Sequence, residues 1–427
     1  MKKLLGLLTS AVLALTFAFS LTACKGKSSS SGDDSKAYTA TYELDEENDT
    51  YTFTGFTVSQ KALELAEKKD FAALAELFNE DKADGDADFT AETVKTLTVK
   101  SEYEGKPVTK IAGRAVSGLT FIEKIVVPDS VTEIAAMAFS NLKGLKEITL
   151  PFTGKSVDGL LAERSFGYIF DTTSADGLTS CAQTYYESKD ASTTYYIPTA
   201  LKTVTITGNN VPATNSTKWV KTVTIDGETK QVEAEEGEEG AYQITVAGDD
   251  GKLSVPAYAF HSCTTIETLN LTGNVEKLEA YTLYGCSGLK NANLTSVNEV
   301  AAHAFENCTS LTAVNFGGDD ADDLVADFAG LTKIGESAFS GCTSLGKKSE
   351  IAEHPLKLAT VTEIGEKAFE GCTAMTKVIF NANANVKNYA FRNCTNLKTL
   401  ENKPADENLG KDVFKDTKYQ NDLDKTV

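Results

Sequence analysis

The phrase Ala338-Phe339-Ser340-Gly341-Cys342-Thr343-Ser344-Leu345 returns throughout the second half of the chain and decides what it can fold into. Residues 304–311 read AFENCTSL, 368–375 AFEGCTAM, 390–397 AFRNCTNL and 259–266 AFHSCTTI. Weaker copies lie at 282–289 and 138–145. A repeated unit this short cannot bury its own apolar residues. It predicts a solenoid of stacked coils that share one continuous core.

The Phe position of the phrase falls at Val116, Phe139, Phe260, Leu283, Phe305, Phe339, Phe369, Phe391 and Phe414, stepping by 22 or 23 residues wherever nothing is inserted. Residues 108–130 and 131–153 are two consecutive units, each with two apolar phrases. The first, L-x-x-I-x-L, ends in a period-two alternation, so it reads as a short strand with Ile148 and Leu150 facing inward. The second, I-x-x-x-A-F-x-x-C-x-x-L, has three- and four-residue spacing that suits a short helical or 3-10 turn bringing the chain back. The fold class is therefore a leucine-rich solenoid: a parallel sheet on one face and short turns on the other. Phe139, Phe260, Phe305, Phe339, Phe369 and Phe391 should form an interior ladder, with Cys263, Cys286, Cys308, Cys342, Cys372 and Cys394 beside it.

These repeats resemble the BspA-type (treponemal) leucine-rich repeat, whose consensus of about 23 residues is L-x-x-I-x-I-P…I-G-x-x-A-F-x-x-C-x-x-L. The likeness runs from about Val108 to Leu400. It is weakest early, where Val116 replaces Phe and Leu142 replaces Cys. It implies a parallel-sheet solenoid and a role in adhesion, to host matrix proteins or to other cells.

Organisation follows from the array. Lys2 and Lys3 precede an apolar run over 4–19, a leader rather than part of the fold. Leu21-Thr22-Ala23-Cys24 resembles the lipobox of bacterial lipoproteins, which implies cleavage before Cys24 and a lipid on its thiol; a plain secretory leader is the alternative. Two acyl chains would hold the protein stably on a membrane, so the expected location is extracytoplasmic, on the bacterial cell membrane. The divisions expected are 1–23 signal peptide, 24–37 lipidated Cys and flexible tether, 38–107 hairpin, helix and lead-in strand, 108–418 array and 419–427 tail. Ser59 should cap one helix over 59–79, and the end from Lys415 should fray. Insertions are expected at 154–198, 209–253, 317–330 and 346–359. In the second, 222–225 and 241–246 should flank an acidic hairpin tip.

The net charge of −20 disfavours a nucleic-acid partner, since phosphate contact needs clustered Lys and Arg. Eight cysteines in an exported chain would ordinarily suggest disulfides. Here six share one repeat position, which makes them equivalent interior thiols. A bridge between stacked coils about 5 Å apart stays geometrically open. Cys181, in the first insertion, has no partner in the repeat. A linear Cys ladder with only His261, His303 and His354 elsewhere gives no metal set, and no cofactor is implied. No nucleophile elbow or phosphate-cradling Gly loop is present, so no catalytic residues are assigned.

Binding is the better reading. The outward strand positions include Lys124 and Val126, Glu147 and Thr149, Thr203 and Thr205, Thr222 and Thr224, Thr268 and Asn270, Asn291 and Asn293, Ala313 and Asn315, and Lys377 and Ile379. The middle of this series is nearly all Thr and Asn, a flat polar face suited to an extended peptide or a glycan; Thr also favours exposed strands for purely structural reasons. Tyr185, Tyr186, Tyr195, Tyr196 and Trp219 form a second candidate, as exposed aromatics are common binding anchors, or else the core of their own insertions. The expected protein is a monomer whose solenoid binds a protein or glycan at the cell surface. Capture of peptide or glycan for uptake, or an envelope hydrolase using acidic residues of the insertion, are the alternatives.

Overall fold

The computed structural model of the protein describes residues 36–83, 85–159, 161–184, 192–208, 216–225, 228–233, 241–246, 253–272, 275–317, 328–347 and 355–424. Three sets of hydrogen bonds join successive coils, one from each part of the repeated unit.

The first set is the main sheet. Strands Thr96–Thr98, Lys124–Val126, Glu147–Leu150, Thr203–Ile206, Thr268–Leu271, Asn291–Leu294 and Ala313–Asn315 pair in chain order, all parallel. Alternation buries Ile148, Leu150, Val204, Ile206, Leu269 and Leu271 completely. Ala313, expected outward, is buried instead, because this last strand turns both Ala313 and Val314 into the core. A second parallel group follows: Pro355–Leu358, Lys377–Phe380 and Thr399–Glu401. Its first strand lies inside the insertion expected at 346–359. Residues 355–358 thus belong to the array, with Pro355 at the first strand position, where a missing N–H is tolerated.

The second set comes from the isoleucine that opens the other phrase. Two- to four-residue strands Leu253–Val255, Val275–Leu278, Glu299–Val300, Lys333–Ile334, Glu363–Ile364 and Asn385–Val386 form a six-stranded ladder.

The third set replaces the expected helical or 3-10 turns. The i→i+3 bonds of a 3-10 turn are present, as in Glu306 N–H to His303 C=O (3.2 Å) and Cys308 N–H to Phe305 C=O (3.1 Å). They do not merge into a helix, because the residues two before and two after the Phe are left-handed: His303 (φ 59°) and Asn307 (φ 63°) here, Ser337 (φ 51°) and Gly341 (φ 73°) in the next coil. That geometry turns alternate N–H groups toward the following coil. His303, Phe305 and Asn307 donate to Glu336, Ala338 and Ser340 at 2.8, 2.7 and 2.8 Å, and Ser337, Phe339 and Gly341 repeat the pattern onto Glu366, Ala368 and Glu370. The Phe rings stack behind these bonds, Phe305 on Phe339 at 4.9 Å, Phe339 on Phe369 at 5.3 Å and Phe369 on Phe391 at 5.1 Å.

The ends and insertions adapt to this frame. The antiparallel strands Tyr38–Asp45 and Thr50–Val58 form the lead-in hairpin. The single helix expected over 59–79 is two, Gln60–Glu67 and Phe71–Asp81. Ser59 caps the first as expected, accepting from Ala62 N–H; left-handed Lys69 breaks the run, and Asp70 caps the second through Ala73 N–H. In the first insertion Phe166 takes a place in the core stack, its ring 5.0 Å from Phe260 and its N–H on Ala259 C=O, as a ladder Phe would. Strand Ser216–Ile225 of the second insertion is the centre of a separate antiparallel sheet with Glu228–Glu233 and Ala241–Val246. Thr222 and Thr224 therefore do not extend the main sheet, where Thr203–Ile206 pairs directly with Thr268–Leu271. Over 415–424 the chain does not fray: helix Lys418–Asp424 follows the fully buried Thr417, and Tyr419 N–H donates to Leu397 C=O at 2.8 Å.

Phe369 is fully buried between two ladder rings. Phe369→Ala should lower unfolding free energy by about 3–5 kcal/mol in urea titration. Gly371→Ala should cost only about 1–2 kcal/mol, since its φ is +74° but a Cβ there meets nothing nearer than 4.0 Å.

Candidate functional site

The outward positions of the main sheet line up in two rows because the strands pair without slippage. One row runs Glu147, Thr203, Thr268, Asn291; the other runs Thr149, Thr205, Asn270, Asn293, Asn315. Glu147 is exposed and the rest are half-buried. Adjacent members sit one strand spacing apart, about 4.8 Å. In the second row the side chains bond along the sheet: Asn293 Nδ2 donates to Asn270 Oδ1 at 2.7 Å, and Asn270 Nδ2 donates to Thr205 Oγ1 at 3.3 Å. Asn315 Oδ1 accepts from Gly317 N–H. An amide carries two N–H donors and two oxygen lone pairs, and the ladder engages one of each on Asn270.

The residue preceding each strand forms a charged rim. Lys95 and Lys146 pair with Glu123 at 3.7 and 2.8 Å, and Lys202 and Lys290 pair with Glu267 at 3.3 and 2.6 Å. Hydrogen bonds from Lys146 and Lys290 hold the Glu123 and Glu267 carboxyls below their ordinary range. Lys95 also pairs with Glu92 at 2.9 Å, and Lys124 with Glu147 at 3.1 Å, so the rim is a run of ion pairs.

The aromatic candidates separate. Tyr195 is buried, its ring packed on Gly167. Tyr196 is half-buried in the strand Ser192–Pro198, and Trp219 lies in the separate insertion sheet, its backbone opposite Gln243. Tyr185, Tyr186, Cys24 and His354 lie outside the described residues. The core-ladder residues Phe139, Phe260, Phe305, Phe339, Phe369 and Phe391 are fully buried, as are Cys263, Cys286, Cys308, Cys342, Cys372 and Cys394. Five of these thiols donate to the preceding coil: Cys286 to Phe260 C=O (3.0 Å), Cys308 to Leu283 (3.2 Å), Cys342 to Phe305 (3.1 Å), Cys372 to Phe339 (3.2 Å) and Cys394 to Phe369 (3.1 Å). Burial pushes their pKa values up, that of Cys394 to about 12, so they stay protonated donors.

One ring stack, buried at Tyr258 and half-buried at Tyr281 and His303, has no counterpart in the expected site. Tyr258, Tyr281 and His303 stack in register, with ring centres 5.0 and 4.5 Å apart and planes within 8°. His261 and Tyr284 stack beside them at 5.2 Å. The signal is in the repeats themselves: AYAFH, AYTLY and AHAFE put a ring two positions before the Phe in three successive coils, and one position after it in two. His303 Nδ1 lies 2.5 Å from Glu306.

The acidic segment 234–240, on which a hydrolase would draw, lies outside the described residues. The apolar cavity of about 450 Å3 beneath the lead-in hairpin, lined by Tyr38, Tyr42, Phe56, Phe78 and Phe89, has Asp86 and Asp88 at its wall. These pair with Lys100 and Lys82 at 3.2 and 3.3 Å. Among the described residues no group of three or more His, Cys, Asp or Glu could hold a metal, and no helix is long and apolar enough to cross a membrane.

A sheet of stacked parallel strands with inward Ile and Leu, backed by turns carrying a Phe ladder, is a leucine-rich-repeat solenoid. The family model described as "BspA type Leucine rich repeat region" matches six copies over residues 106–231, 247–322 and 325–422, well over half of the chain, and the chain belongs to this family. Similar solved structures are a leucine-rich repeat protein of T. pallidum (21% identity over 60% of this chain and 95% of that one, TM-score 0.35), a leucine-rich cell surface protein of Faecalibacterium prausnitzii (17%, 85% and 92%, 0.30) and a leucine-rich repeat protein of Bacteroides ovatus (16%, 88% and 78%, 0.32). A comparison with curated proteins returns no match.

Burial lowers the pKa of His261, only partly offset by its contact with Ala182 C=O. The unfolded chain therefore binds the proton more readily, and the stability this gives is complete above about pH 6.5 and lost as pH falls through the folded value. Acidification should lower the thermal midpoint less in His261→Phe than in the parent, as differential scanning fluorimetry between about pH 8 and pH 5 can read.

Proposed function

We propose that the chain is a non-enzymatic, surface-displayed binding protein whose main-sheet face takes an extended protein or glycan ligand. The in-register Thr and Asn rows carry this reading. Thr alone fits any exposed strand, but Asn is depleted from strands, so Asn270, Asn291 and Asn293 on adjacent strands are not explained by strand preference. The ladder orients the amides and leaves donor and acceptor capacity for a ligand with regularly spaced polar groups.

Display follows from the leader. Lipid on Cys24, followed by the Ser- and Gly-rich tether, holds the solenoid at the outer side of a bacterial membrane, where adhesion to matrix or to other cells is the fitting role.

The soluble chain 25–427, screened on matrix proteins and glycans, should bind saturably, and Thr268→Lys with Asn293→Lys should weaken binding at least about tenfold, roughly 1.4 kcal/mol, with the thermal midpoint unchanged. Unchanged affinity would remove the strand face from consideration. Labelled fatty acid supplied to the expressing cells should be incorporated into the full-length protein and not into Cys24→Ala.

A further inference from the structure

Cys263 is the exception in the thiol ladder. Each later repeat Cys donates to the carbonyl of the Phe-position residue one coil earlier. The coil before Cys263 is occupied by the first insertion, and what reaches the Cys263 sulfur is the thiol of Cys181, with the two Sγ atoms 3.2 Å apart, and Gln183 Nε2 at 3.6 Å. Both residues are buried. Cys181, without a partner in the sequence pattern, thus has one in space.

The strand carrying Cys181, Leu178–Thr184, is held on the coil by more than this contact. Gln183, fully buried two residues on, donates through Nε2 to Ala259 C=O at 2.6 Å and accepts Gly167 N–H at 2.5 Å. Cys181 Sγ also lies 3.4 Å from His261 C=O, and His261 Nδ1 lies 3.3 Å from Ala182 C=O. These contacts fix the two sulfurs face to face, about 1.2 Å beyond bonding distance.

We propose that Cys181 and Cys263 form a disulfide that fastens the first insertion to the repeat core, while Cys286, Cys308, Cys342, Cys372 and Cys394 remain thiols. The oxidant is a disulfide, on a small molecule or a thiol–disulfide oxidoreductase. As the hairpin docks, the Cys181 thiolate attacks one sulfur of that disulfide, forming a mixed disulfide and releasing one thiolate. The Cys263 thiolate then attacks the Cys181 sulfur and expels the second. Two electrons pass to the oxidant, and the two protons from the cysteines end on its two thiols. The five remaining repeat cysteines are excluded by their own bonds, each S–H being committed to a backbone carbonyl.

The full-length chain, refolded from denaturant with oxidised and reduced glutathione, is alkylated and digested with trypsin without reduction. Cys181 and Cys263 fall in peptides 165–189 and 253–277, each with a single cysteine. The two should be recovered joined, two hydrogens lighter than their summed thiol masses, with the peptides bearing the other repeat cysteines alkylated. Separate alkylated or glutathionylated peptides, or Cys263 joined to Cys286, would overturn the assignment. Dithiothreitol should lower the thermal midpoint of the refolded parent by several degrees and leave that of Cys181→Ser unchanged. A parent midpoint indifferent to reductant is incompatible with the fastening role.

Discussion

The structure depends on a pair of left-handed residues flanking each core Phe. They turn three N–H groups toward carbonyls of the next coil at Val116, Phe260, Leu283, Phe305, Phe339, Phe369 and Phe391. A non-glycine residue in that region costs roughly 1–2 kcal/mol, and three axial hydrogen bonds, each worth about 0.5–1.5 kcal/mol net, offset it. The residue after the Phe-containing pair is usually one that tolerates the conformation: Gly118, Asn141, Gly285, Asn307, Gly341, Gly371 and Asn393. The residue before it is not selected in this way. Met137, Tyr258, Tyr281, His303, Lys367 and Tyr389 all adopt positive φ. At that site the surrounding bonds, not the residue type, impose the backbone.

This explains what was legible in the sequence and what was not. The Phe and Cys period, the inward alternation of Ile148 and Leu150 and the parallel stacking can be read from spacing, because they rest on apolar burial, which leaves a direct periodic trace. The third hydrogen-bonded ladder leaves only half a trace, since its leading left-handed position accepts almost any side chain. Phe166 was hidden for a related reason: Ser165 stands where the repeat has Ala, so a residue that fills a core slot looks like part of an irregular insertion. The division of the first helical region came down to Asp70, whose carboxylate starts a new helix inside an apolar stripe that reads as continuous.

The candidate site was legible in its strand rows and illegible in its boundaries. Strand pairing put Thr203, Thr205, Thr268, Asn270, Asn291 and Asn293 together as alternation implies. Thr222 and Thr224 share the same local phrase, yet belong to another sheet, because local alternation specifies a strand but not its partner. The stacked Tyr258, Tyr281 and His303 occupy a position where backbone geometry is fixed and side-chain identity is free. Positions of that kind, on either face, are where a repeat protein can acquire recognition without disturbing its core.

The same bonding pattern has a consequence for how such a chain changes length. The coils of Leu283, Phe305, Phe339 and Phe369 each receive one set of axial bonds and pass on an equivalent set. A whole unit can therefore be duplicated or lost with both of its neighbours meeting the partners they had before. Phe166 shows that even a foreign segment is accommodated if it presents an aromatic ring and one N–H at the right height. Extent and composition of the strand face can then vary separately: the number of coils sets how long a ligand it spans, while point changes at outward positions set what it recognises.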